Sequence, residues 1–426
     1  MEDFIYFGER ETWGGDTALF GLAPPDRRHH VYLIGKTGSG KTTLLRNVII
    51  QHLAAGHGVG LIDPHGDLAE ELLEHYPPWR ADHLVYFNPA DLEYPIGLNL
   101  LANVPRDEQH LVVSGIIDAF KGLWRDSWGP RLEYILQHAL AALLECPNTS
   151  LLGVNRLLTD TDYRRWVVNQ VTDPFVRHFW THEYEGYDAR FRREAIAPIQ
   201  NKVGQFLLSP VLRNILGQVR SKVSFPFMMN HGRVFIANLS KGRLGADKAN
   251  LLGSLLTTQF QLAAMSRASL PEAERRDFYL FIDEFQNFST DAFASILAEA
   301  RKYRLCLTLS HQYIGQLSVP VQQAVFGNVG TLITFRVGHA DAAVLQHEFG
   351  DEVQARNLVD LDRFQLVVKL LESGTQSQPF TANSLPPVEN RIGRRPKLIR
   401  RSREKYALAR RAVQRRFDSW IKPGPS

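Results

Sequence analysis

The stretch that most constrains this chain is residues 30–53, HVYLIGKTGSGKTTLLRNVIIQHL. Val31 to Ile34 read as a buried strand, Gly35 to Gly40 as a turn, and the run from Lys41 as an amphipathic helix. The turn carries G-x-x-x-x-G-K-T, a phosphate-binding loop. Gly35, Gly38 and Gly40 let backbone N–H groups turn inward, and the following helix aims its positive end at the same spot. The expected ligand is ATP, held by Gly35, Lys36, Thr37, Gly38, Ser39, Gly40, Lys41, Thr42 and Thr43. Lys41 is expected on the β- and γ-phosphates, and the Thr42 hydroxyl on Mg²⁺. The competing reading is a chance match in a glycine-rich turn. It has to account for a full eight-residue pattern between a strand and a helix.

Far downstream, DFYLFIDEFQNF supplies the carboxylates such a loop needs. Four apolar residues precede Asp283 and Glu284, the pattern of a buried strand that delivers acids to a phosphate site. Asp283 is expected to hold Mg²⁺ directly or through water, and Glu284 to polarise the attacking water as general base. Alone, this pattern could also be a strand ending at a helix-capping acid; the upstream loop decides for catalysis. The next strand, 305–310, leads into His311 and Gln312. Gln312 suits a sensor of the γ-phosphate, and His311 reads as a turn residue.

The rest of the chain organises around this pair of motifs. Residues 1–30 read as a lead-in with one or two short strand-like pieces. Strands at 59–63 and 83–87, with a helix between them that Asp67 could cap, predict a parallel sheet with right-handed crossovers. Asp63 and His65, just past a strand end, could equally be turn chemistry or a contact to nucleotide, metal or a neighbouring subunit. Residues 31–103 and 217–385 are expected to form an α/β, RecA-like core. Residues 104–216 show only helical periodicity and predict an all-helical insertion. Trp124, Trp128, Trp166 and Trp180 lie there with Arg190, Arg192 and Arg193. Aromatics among arginines could stack bases, but helix-core packing with a charged outer face is the commoner cause.

Charge divides the chain unevenly. Residues 391–416 hold twelve Lys or Arg and one acid, Glu404, so the remainder of a chain with net charge +4 carries −7. Residues 386–426 therefore read as a basic tail, either an arm for a polyanion or a solvated end. No apolar run approaches the roughly eighteen residues of a membrane span, and the acidic start is unlike a signal peptide. The expected location is cytoplasmic, or peripheral to a membrane. Cys146 and Cys306 lack metal or redox spacing and read as buried thiols.

In combination, GKTGSGKTTLL (35–45), GLIDPHGDL (60–68), FIDEFQNF (281–288), EARKYRLCLTLSHQ (299–312) and FGNVGTLITFRVG (326–338) make the chain resemble the HerA/FtsK superfamily of ring ATPases. The likeness is greatest to the coupling-protein and conjugation branch linked to type IV secretion. The resemblance implies six subunits in a ring, ATP at their interfaces and DNA in the channel, hence a DNA-translocating, DNA-stimulated ATPase. It also implies a trans-acting arginine finger, for which Arg301 is preferred over Arg336. A nuclease, a relaxase or a secretion channel would be the partner. The membrane-bound relatives carry transmembrane helices before this core, and none is read here. A protein-remodelling ATPase with a polypeptide cargo is the alternative.

Overall fold

A computed structural model describes residues 3–12, 14–289, 291–350 and 352–421. Its strands are β1 (Ile5–Glu11), β2 (Thr17–Leu22), β3 (Val31–Ile34), β4 (Gly58–Asp63), β5 (Leu84–Phe87), β6 (Val234–Asn238), β7 (Phe278–Ile282), β8 (Leu305–His311), β9 (Thr331–Thr334) and β10 (Gln365–Lys369). A small hairpin, β11 (Leu371–Glu372) and β12 (Thr375–Gln376), precedes β13 (Phe380–Ser384). Eleven strands form one sheet in the order β2-β1-β13-β10-β9-β3-β8-β7-β4-β6-β5.

The middle of the sheet is parallel from β9 to β6. Its strands β3, β4, β6, β7 and β9 are buried along their whole length, as expected where helices cover both faces. This is the α/β, RecA-like architecture expected from the motifs. Beyond β9 the sheet turns antiparallel through β10, β13, β1 and β2. The lead-in supplies β1 and β2, the short strand-like pieces expected there, and residues 380–384, at the end of the expected core, form β13. Neither piece carries the long apolar run that marked the central strands. Pairing and the burial of Ile5, Phe7, Phe20 and Ala382 hold them in place.

Contacts divide the chain into two compact units, residues 1–86, 225–240 and 263–401, and residues 87–224, 241–262 and 402–426. The first holds nearly all of the sheet. Within it, residues 390–401 are packed rather than free. Leu398 belongs to the hydrophobic core, Ile392 N–H bonds to Glu74 O, and Arg395 and Arg401 pair with Glu70 and Asp82. The second unit is helical from Arg106 to Leu216. Asp160, Asp173 and Asp188 each accept two backbone N–H groups at a helix start, supplying the caps that such ends require. Trp180 is fully buried, Arg190 pairs with Glu194, and Arg192 bonds carbonyls of residues 184–187. Core packing therefore accounts for Trp180, whereas Trp124 and Trp128 are half-buried and Trp166 is exposed. The tail's last helix, Arg410–Ile421, buries Val413 and Phe417, and Arg403 and Arg410 pair with Asp91 and Glu93.

Candidate functional site

The loop between β3 and the helix Lys41–Ala54 is held from three sides. Gly35 N–H bonds to His311 O on β8, Lys36 N–H to Arg336 O beyond β9, and Phe364 N–H to Ser39 O. Gly38 (φ +77°) and Gly40 (φ +125°) adopt conformations that favour glycine. A Cβ on Gly40 would lie 2.8 Å from the Phe364 ring and 3.0 Å from that of Phe335. Among the described residues, the backbone N–H groups of Thr37, Gly38, Gly40, Lys41, Thr42 and Thr43 make no backbone bond. A cradle of unpaired donors at a helix start is what a polyphosphate requires, so the residues fit the expected group.

Lys41 is buried, with Nζ donating to the carbonyls of Gly35 and Lys36. Burial pulls its pKa down, and the charges of Glu284 and Asp283 oppose that shift. Two carboxylates thus stand close enough to the lysine to be felt. They come from β7, two strands from β3 with β8 between. At the usual strand spacing that leaves roughly 10 Å between loop strand and acid strand, room for a terminal phosphate and a water.

Asp283 N–H bonds to Ile62 O, fixing the end of β7 against β4. Its carboxyl is pushed up to about 6 by burial, and further by the neighbouring charges of Asp63 and Glu284. Among the described residues no group of three or more acidic, His or Cys side chains is placed to hold a metal ion by itself, so Mg²⁺ would be held by Asp283 and Thr42 together with the phosphates. Glu284 sits in the left-handed region (φ 47°, ψ 49°) and is buried. Gln312 Nε2 donates to its Oε1 at 2.9 Å, so the expected base and sensor meet.

The two arginines lie at opposite ends of the strands. Arg336 follows β9, exposed, at the phosphate-loop edge. Arg301 precedes β8, at the other edge, where it is exposed, bonds His29 Nδ1 at 3.1 Å and lines a cavity with Arg28 and Arg304. It is roughly 20 Å from its own loop by strand rise.

Several residues play other parts than expected. Asp63, not Asp67, caps the helix Asp67–Glu74: it is fully buried and accepts from His65 N–H and Ala69 N–H, while Asp67 and His65 are exposed. His311 is no turn residue. It ends β8 fully buried, bonded to Tyr32 and packed on Phe285, and burial lowers its pKa to about 3, keeping it neutral. Phe335, Phe364 and Gln286 went unread because nothing in their local sequence marks contact with the loop or the base.

A family model for the central domain of the helicase HerA matches residues 26–260. A model for the DNA-binding domain of the type IV secretion-system coupling protein matches residues 234–357. Among solved structures, plasmid coupling protein TrwB in complex with ADP and Mg²⁺ aligns with a TM-score of 0.61 at 17% identity, covering 91% of this chain and 96% of that one. TrwB with the ATP analogue ADPNP gives 0.59 at 17%, covering 86% and 87%. VirB4 of Thermoanaerobacter pseudethanolicus gives 0.58 at 14%, covering 90% and 96%. No curated protein sequence matches. Among the described residues no helix is long and apolar enough to cross a membrane.

Proposed function

Since the chain belongs to the family of the HerA helicase central domain, we propose that it is an ATPase that works as a ring, by expectation of six subunits, and moves DNA. The observation that carries the chemistry is the Glu284–Gln312 contact at the ends of β7 and β8, across from Lys41. A nucleotide switch without turnover has no use for a water-polarising acid bonded to a phosphate sensor. In this reading the loop N–H groups and Lys41 bind the phosphates of ATP. Glu284 takes the proton of the attacking water, and Gln312 registers the γ-phosphate. Asp283 and Thr42 hold Mg²⁺, whose chemistry is to neutralise phosphate charge.

DNA as cargo is supported by the match to a DNA-binding domain model and by the ring-motor family. The net −7 outside residues 391–416 weighs against DNA, and a polypeptide cargo is the second reading. ATP turnover of the full chain with and without DNA separates the two. Stimulation by DNA is expected, and a rate indifferent to it supports the polypeptide. In the same assay Lys41→Ala should lose nucleotide binding. Glu284→Gln should keep binding and lose turnover by about 10²–10⁴-fold; near-normal turnover would remove Glu284 as the base.

A further inference from the structure

The carboxylate of Glu284 is gripped at both oxygens. Gln312 Nε2 bonds Oε1 at 2.9 Å, and Gln286 Nε2 bonds Oε2 at 2.7 Å. The two amides differ in kind. Gln312 comes from the neighbouring strand and has a phosphate to meet, so its bond to Glu284 competes with another duty. Gln286 lies two residues beyond the acid, in the short helical turn Phe285–Asn287, and belongs to the same rigid piece of chain. Its own amide oxygen is buried and has no hydrogen-bond partner. A buried acceptor left unpaired is costly, so this side chain is not oriented for its own satisfaction; it is oriented to present its NH₂ to Glu284. The same turn fixes the backbone, since Asn287 Nδ2 donates to Glu284 O at 2.8 Å and holds a non-glycine residue at φ 47°.

We infer that Gln286 is a positioning residue for ATP hydrolysis. It aims the Glu284 carboxylate while Gln312 is free to turn to the γ-phosphate. The inference rests on Glu284 being the general base. A base must lie within hydrogen-bond reach of the water it activates, and misplacement by about an ångström is enough to cost a large factor in rate. The Gln286 side chain acts through its bond to Glu284, so its effect is expected on turnover rather than on binding.

The test is steady-state ATP hydrolysis by the full chain, with binding of a non-hydrolysable ATP analogue measured alongside. Gln286→Leu, which keeps the bulk and removes the NH₂ donor, should lower kcat ten-fold or more and leave KM and analogue affinity within about two-fold. Gln286→Asn, which restores a shorter donor, should recover part of the loss. If Gln286→Leu does not fold, Gln286→Met removes the donor at similar length and should show the same loss. Wild-type kcat in whichever donorless variant folds would overturn the assignment. So would a fall in analogue affinity that tracks the fall in kcat, because that reports a collapsed site. Glu284→Gln run in parallel keeps the premises apart: turnover in that variant sinks the base itself, while a dead Glu284→Gln beside a fully active Gln286→Leu sinks the role of Gln286 alone.

Discussion

Asp283 makes two opposite demands on pH. Its folded pKa of about 6 lies above the usual value of 3.8, because burial and the charges of Asp63 and Glu284 disfavour ionisation. The group therefore contributes stability at low pH, and that contribution is lost as pH rises through about 6. Metal binding needs the ionised form and runs the other way. Asp283→Asn should stabilise the protein at pH 7 by up to about 3 kcal/mol, while abolishing Mg²⁺-dependent ATP binding. Urea unfolding at pH 7 and below pH 4 checks this: the gain should shrink at the lower pH, and no gain at pH 7 would refute the account. Gly40→Ala tests the loop by sterics, since its Cβ would meet Phe364 and Phe335 at a φ of +125°. ATP affinity should fall at least ten-fold, read by calorimetry. At this scale motif residues such as Lys41 and Asp283 were legible because their chemistry repeats a local pattern. Asp63, Phe364 and His311 were not. What each does is set by a partner the local pattern does not announce, as with His311 and Tyr32, 279 positions apart.

The central strands were readable because both their faces are buried, which forces continuous apolar runs such as VYLI and FYLFI. In the antiparallel extension β10 was readable, β1 and β2 only as short strand-like pieces, and β13 not as a strand. Its members are short, and their stability comes from pairing, for example Gly8 with Ser384. The C-terminal segment shows the same lesson in its charges. Read alone, its twelve cations suggested a separable arm, yet Arg395, Arg401, Arg403 and Arg410 face acids of the body, and Leu398 is 2% exposed in the core. Exposed pairs of this kind add little each, but the buried leucine does not. Leu398→Ala should cost about 2–3 kcal/mol, measured by urea unfolding. Truncation after Val388 should lower the melting temperature rather than leave the fold intact; an unchanged melting curve would show that the segment is dispensable.

In the proposed ring one arginine would cross between subunits, and Arg301 and Arg336 are the candidates. A finger acting in trans must stand away from its own loop, which suits Arg301 at the far edge beside His29. Arg336 lies at its own loop's edge, where Lys36 N–H bonds its carbonyl. The expected outcome of a mixing experiment is that Arg301→Ala subunits, inactive alone, regain part of their ATPase activity with Lys41→Ala subunits, because one interface then pairs an intact loop with an intact finger. Absence of recovery in rings shown to exchange subunits would exclude Arg301, and recovery with Arg336→Ala instead would transfer the role.

By itself the sequence determined the phosphate-loop motif, the Asp283–Glu284 pair after a buried strand and the parallel core. Each is encoded within a dozen residues by backbone freedom, helix polarity and continuous burial. Tertiary structure alone decided that Asp63 caps a helix, that Phe335 and Phe364 back the loop, and that residues 3–22 and 380–401 complete the sheet unit. It also placed the Gln286 amide on the Glu284 carboxylate. These depend on which distant surfaces share a buried space, and a side chain's chemistry there is set by its neighbours in space rather than in sequence.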